Sequence, residues 1–123
     1  MEKIHSVNME FTSLEFYPDY VISRVREDVL FSIQQVRDLL EECARFYKQH
    51  SFVYISLREN DYNVDPTIYY NIKNTNLAGI AIVSIKASSL KMAEFEQKFA
   101  KMPFELFTDL EEAKAWVKGF DLK

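Results

Sequence analysis

Few residues in this chain are of a type that does chemistry unaided. There are 2 histidines, His5 and His50, and 1 cysteine, Cys43. Neither histidine has a cysteine or carboxylate at metal-ligand spacing, so the sequence predicts no zinc site. Cys43 falls on the apolar stripe of a helix, where a thiol acts as a small hydrophobe with a raised pKa and little reactivity. His50 falls at a helix end, where an imidazole serves as a capping group beside the negative end of the dipole. Asp61 and Asp65 share a loop with Asn60 and Asn63. That run lacks the glycine and the closing glutamate of a calcium loop. With 2 glycines where average usage gives about 9, phosphate-cradling loops and nucleophile elbows are excluded. No catalytic residue, metal or cofactor is expected.

The stretch with most functional promise is Arg58–Thr67. It follows a buried strand and leads into a helix, and open α/β sheets bind ligands or partners outside such strand ends. Helix N-termini there also offer unpaired N–H groups to anions. Arg58, Asp61, Tyr62, Asp65 and Thr67 are therefore the candidate binding residues, although a plain polar connection with Asp65 as its cap accounts for them too. Tyr54, Tyr62, Tyr69 and Tyr70, near the same strand end, suit an apolar ligand pocket, or core packing with wet hydroxyls.

The elements that must position this loop are legible from periodicity. The first eight residues are weakly patterned and are expected to be loosely attached. Met9–Tyr17 reads as a strand with a bulge between Phe11 and Leu14. Pro18-Asp19 turns the chain into a second strand, Tyr20–Arg26, which makes an antiparallel hairpin. Ser32 and Gln35 have capping-box spacing, and Ile33, Val36, Leu40, Cys43 and Tyr47 repeat at helical intervals up to about His50. Phe52–Leu57 is a strand covered on both faces. Asp65-Pro66 caps a short helix through Ile68, Tyr69 and Ile72. Leu77–Ile85 is the central strand. Ser88 or Ser89 caps a third helix that buries Met92, Phe95, Phe99 and Met102. Phe104–Phe107 is a last strand, and Thr108 with Glu111 boxes a last helix. That helix is lined by Leu110, Ala113, Trp116, Val117 and Phe120 and stopped by Gly119.

Such alternation predicts one α/β domain over residues 1–123, with a mostly parallel sheet, an N-terminal antiparallel hairpin and about four helices. The 123 residues suit a single domain. A net charge of −4 and a pI near 5.2 disfavour nucleic acid. Leu77–Val83, the longest apolar run, is far short of the roughly 20 residues that span a bilayer. With no secretory leader visible and a lone cysteine, a cytoplasmic setting is expected.

The order of elements resembles the STAS-like fold of bacterial anti-sigma-factor antagonists, the SpoIIAA-like proteins. The residues that carry the resemblance run from Phe52 to Ile85: a buried strand, a loop, a helix opening at Asp65-Pro66-Thr67, then LAGIAIVSI. The closing FELFTDLEEAKAWV is similar to the end of many small proteins of that kind. The resemblance implies a regulatory module that binds a protein partner such as a kinase or an anti-sigma-like protein. It also implies a phosphoacceptor at the start of the second helix, where Thr67 stands, although no glycine follows as in the antagonists' Asp-Ser/Thr-x-Gly neighbourhood. Phosphorylation there would break the complex by added charge. Two other readings remain. One is a small-molecule or lipid carrier of the same fold, and the other a hydrolytic enzyme, which would need a base that no visible motif provides.

Overall fold

The computed structural model describes residues 3–72 and 76–122, apart from the side chain of Asn71. Its elements are β1 (His5–Asn8), β2 (Thr12–Phe16), β3 (Tyr20–Val25), β4 (Leu30–Phe31), α1 (Ile33–Tyr47), β5 (Phe52–Leu57), β6 (Asn63–Val64), a 3-10 helix (Pro66–Asn71), β7 (Leu77–Val83), α2 (Ala87–Gln97), β8 (Phe104–Phe107) and α3 (Leu110–Val117). The main sheet runs β1-β2-β3-β5-β7-β8. Pairing is antiparallel from β1 to β3 and parallel from β3 to β8. This is the mixed, mostly parallel α/β architecture with an N-terminal hairpin that the element order predicts. Three α-helices and one 3-10 turn replace the expected four helices, because the segment after Pro66 is too short to close regular α turns.

Three further departures occur. Residues 5–8, expected to be loosely attached, pair with β2 from His5 opposite Phe16 to Asn8 opposite Ser13. An edge strand needs only backbone hydrogen bonds on one side, so its side chains need not alternate. The phase shift between Phe11 and Leu14 is the end of a tight connection rather than a bulge inside one long strand: Met9 N–H donates to Thr12 O at 2.8 Å. Two residues of β4 pair in parallel with two of β6, a small second sheet that is too short to show a period.

Alternation along the strands divides the core. Leu14, Phe16, Val21, Phe52, Ile80 and Ile82 face α1, the 3-10 helix and α2. Tyr20, Ile22, Val53, Ile55, Ala81 and Val83 face α3. Helix α1 buries Val36, Leu39, Cys43 and Tyr47, close to its expected stripe. Ser32 and Gln35 form the expected capping box, in which the Ser32 backbone N–H donates to Gln35 Oε1 at 3.1 Å. Burial pushes the Cys43 thiol up to about 12, so it is core filler. Past α1, the backbone N–H of His50 donates to Tyr47 O. The His50 ring does not cap the helix; its Nε2 lies 3.1 Å from Asp19 Oδ1.

Helix α3 is capped by Asp109, whose carboxylate accepts from the Glu111 N–H at 3.1 Å, in place of the expected Thr108 box. Aspartate competes well for that position because its charge also meets the positive end of the dipole. Beyond α3, Phe120 lies directly over Gly79 of β7. A Cβ built on Gly79 would fall 2.8 Å from Phe120 Cζ.

Helix α2 departs furthest from expectation. It begins after Lys86 rather than at a serine cap, and the Lys86 N–H donates to Ser84 Oγ at 3.1 Å. Its buried residues are Ser89, Ala93 and Glu96. Of the residues expected inside, Met92 and Phe95 are exposed, Phe95 by 52%. Phe99 and Met102 are only partly buried. The cause lies in the site.

Candidate functional site

Strand β5 alternates Phe52, Tyr54 and Ser56 toward α1 and α2. Arg58, the next residue of the same parity, follows the strand end onto that side. Its backbone N–H donates to Val83 O at 2.9 Å, and its carbonyl accepts from Ser84 Oγ at 3.2 Å, which ties it to the end of β7. The guanidinium is thereby held where water does not reach it; Arg58 is 5% exposed.

A buried cation requires a counter-charge. Glu96, 1% exposed, supplies it from α2. Nη1 donates to Oε2 and Nη2 to Oε1, each at 2.6 Å, a bidentate fork. Tyr69 of the 3-10 helix donates its hydroxyl to the same Oε1 at 2.6 Å. Arg58 Nε contacts Ser56 Oγ at 3.4 Å, and that hydroxyl is 3.1 Å from the Tyr62 hydroxyl. The Arg58 Cζ stands 5.5 Å from the centre of the Tyr62 ring, within cation–π range. Burial lowers the guanidinium's hold on its proton, but the Glu96 carboxylate more than offsets this and raises it. Burial pushes the Tyr69 phenol up, and the adjacent Glu96 charge pushes it further. Burial likewise raises Tyr54 and Tyr62.

This clamp joins β5, α2 and the 3-10 helix, and it orients α2. With Glu96 held inward at Arg58, Phe95, about 100° further round the helix, is turned outward.

Above the clamp opens a crevice of about 290 Å³ lined by Asp28, Asn60, Asp61, Tyr62, Asn63 and Ser89, among others, with Arg58 at its floor. Beneath the clamp is an apolar cavity of about 30 Å³ that Tyr54, Tyr62 and Tyr69 help to line. That is one water's share of space, against roughly 300–1,000 Å³ in pockets for small ligands.

The sequence-derived candidates thus separate. Arg58 and Tyr62 belong to the clamp and to the crevice. Asp61 is on the crevice wall, with Lys86 Nζ 3.3 Å from its Oδ1. Asp65 caps the 3-10 helix, accepting from the Thr67 N–H at 3.0 Å and the Thr67 hydroxyl at 2.7 Å. Asp65 and Thr67 are exposed beside the crevice rather than in its lining. Tyr54 and Tyr69 face inward, whereas Tyr70 is exposed and packs on Phe99 at 5.4 Å between ring centres. Glu96 and Ser56 were missed. The signal for Glu96 was Arg58 itself, a cation in the parity of core residues, which demands a carboxylate from a facing element.

Among the described residues, no group of three or more histidine, cysteine, aspartate or glutamate side chains could hold a metal ion. No helix among them is long and apolar enough to cross a membrane. The histidines lie away from the crevice, His5 against Phe46 and His50 beside Asp19.

No protein-family model matches the chain, and no curated protein matches it. Among solved structures, the chain is similar to an uncharacterized protein of the DUF3478 family with a SpoIIAA-like fold from Shewanella loihica PV-4. The TM-score is 0.57 at 17% identity, over 92% of this chain and 98% of that one. At that identity the likeness speaks for the backbone arrangement alone, and the arrangement of this chain is a SpoIIAA-like, STAS-like fold.

Proposed function

We propose that this domain is a non-catalytic, cytoplasmic protein-interaction module. Its partner surface comprises the 58–67 loop and the adjoining 3-10 helix. The observation that carries this reading is the clamp. The buried Arg58–Glu96 ion pair at the strand ends has its forks filled by each other and by Tyr69. That leaves a rigid floor, and around it a rim of Asp28, Asn60, Asp61 and Asn63 for contact. Rigid floors under polar loops suit recognition, since little ordering entropy is lost on binding. A regulatory role, with a kinase-like or anti-sigma-like partner, is what the STAS-like fold adds.

Thr67 is the phosphoacceptor of this reading. It is exposed, and its hydroxyl now donates to Asp65. A phosphate there would replace that donor with about two negative charges next to a carboxylate, loosening the cap of the 3-10 helix.

Affinity capture from the native cell tests the module. The wild-type chain should retain a partner that Asp61→Arg with Asn63→Arg loses by at least tenfold, while both proteins melt alike. Recovery of the wild-type chain as a partner-free monomer would overturn the reading. Intact-mass analysis of natively expressed protein with no phosphate on Thr67 would remove the switch.

A further inference from the structure

Helix α2 turns its apolar stripe to solvent. Phe95 and Met92 are 52% and 39% exposed, and Tyr70, 52% exposed, extends the stripe from the 3-10 helix. Phe99 joins them, its ring 5.2 Å from Phe95 and 5.4 Å from Tyr70. At helical spacing Lys91 and Lys98 stand one turn to either side of Phe95, on the same face. Both are exposed. Lys101 Nζ lies 5.8 Å from the Tyr70 ring centre.

The charge of this strip runs against that of the chain. Segment 86–101 holds Lys86, Lys91, Lys98 and Lys101 against Glu94 and Glu96, in a protein of net charge −4. Glu96 faces inward to Arg58, so Glu94 is the segment's single outward carboxylate. Lys86 reaches Asp61, but Lys91, Lys98 and Lys101 have no carboxylate partner among the described residues. An aromatic stripe rimmed by unpaired ammonium groups is complementary to an apolar helix face rimmed by carboxylates. Among the described residues, a second copy of this acidic chain presents no such stripe elsewhere, since its other exposed large hydrophobics, Ile4, Leu30 and Ile85, are scattered.

We infer that the α2 stripe of Met92, Phe95, Phe99 and Tyr70, edged by Lys91 and Lys98, docks an acidic amphipathic helix of a partner protein. This rests on the interaction-module reading and names the chemistry of its partner. The Arg58–Glu96 clamp is what keeps the stripe presented.

A photo-crosslinking residue in place of Phe95, in the full-length chain in its native cell, tests the inference. The expected adduct is a protein segment with apolar residues at helical spacing flanked by aspartate and glutamate. Lys91→Glu with Lys98→Glu should cut its yield at least tenfold. Adducts to lipid, to a second copy of this chain or to basic or extended segments overturn the inference, as does no adduct at all. The same probe at Asp61 separates the two levels. A protein adduct at 61 with none at 95 sinks the α2 surface alone, and none at either position sinks the module as well.

Discussion

Helices α2 and α3 cover opposite faces of one sheet and obey different rules. Under α3 the sheet presents a buried apolar cluster, Ile55, Ala81 and Val83 among it, and the helix answers with Ala113 and Val117. Under α2 the sheet end presents Arg58, and the helix answers with Glu96. A hydrophobic stripe fixes a helix's rotation only where the opposing surface is apolar. Where a buried cation waits, leaving it unpaired costs more than exposing two large apolar side chains.

The sharpest way to break this contrast is to cut the clamp. Arg58→Ala or Glu96→Ala leaves a buried charge without its partner and should destabilise the fold by about 3–5 kcal/mol. Urea unfolding measures it. The double variant Arg58→Met, Glu96→Leu should recover most of that loss, since a packed apolar pair replaces the ions. If the singles lose no more than Val117→Ala on the α3 side, about 2 kcal/mol, the clamp does not orient α2.

Tyr69→Phe removes one donor from a carboxylate that keeps its fork, so a loss of about 1–2 kcal/mol is expected in the same assay. Alkaline titration tests the burial on both faces without mutation. The Cys43 thiol and the Tyr47, Tyr54, Tyr62 and Tyr69 phenols lie on the α1/α2 side and the Tyr20 phenol on the α3 side, and burial raises each of them. The unfolded chain gives up these protons near 9 for the thiol and 10 for the phenols, while the native state keeps them. Above those values the native state binds more protons, so stability falls as pH rises, by roughly 1.4 kcal/mol per pH unit for each group in its window. Urea midpoints from about pH 8 to about pH 11 should fall steadily. A flat profile would mean these groups are hydrated. The smallest effect belongs to Phe95→Ala, which should change stability by less than about 0.5 kcal/mol because its ring is already half in water. A larger loss would place Phe95 in the core after all.

Much of this was legible in the chain. Ser32, Asp65, the alternation of β3 and the continuous apolar runs of β5 and β7 mark their elements, because local chemistry and burial agree there. The last helix stops one residue before Gly119, at the Lys118 cap, and Gly119 does not adopt the left-handed conformation that its expected stop role uses; its N–H donates to Trp116 O. The short β4–β6 pair and the β1 edge were illegible, since two residues show no period and an edge strand needs no apolar face. At the site, position 58 and its loop were found from strand-end logic. Tyr69 was placed beside the same strand end, but the partner Glu96 was not found, because its helix was read by hydrophobic spacing and Glu96 lies off that stripe. A carboxylate inside an apolar helix says nothing about where it points until the cation opposite is known.

The aromatic ring resting on Gly79 has its own consequence. Phe120 comes from beyond α3 yet fills the notch that a side-chain-free residue leaves on β7, which the sheet order places next to the β8 edge rather than at the centre expected from its sequence. The end of the described chain therefore acts as a plug. Trimming the protein after Val117 would uncork the α3 face of β7, and a tag fused there would have to leave that plug seated.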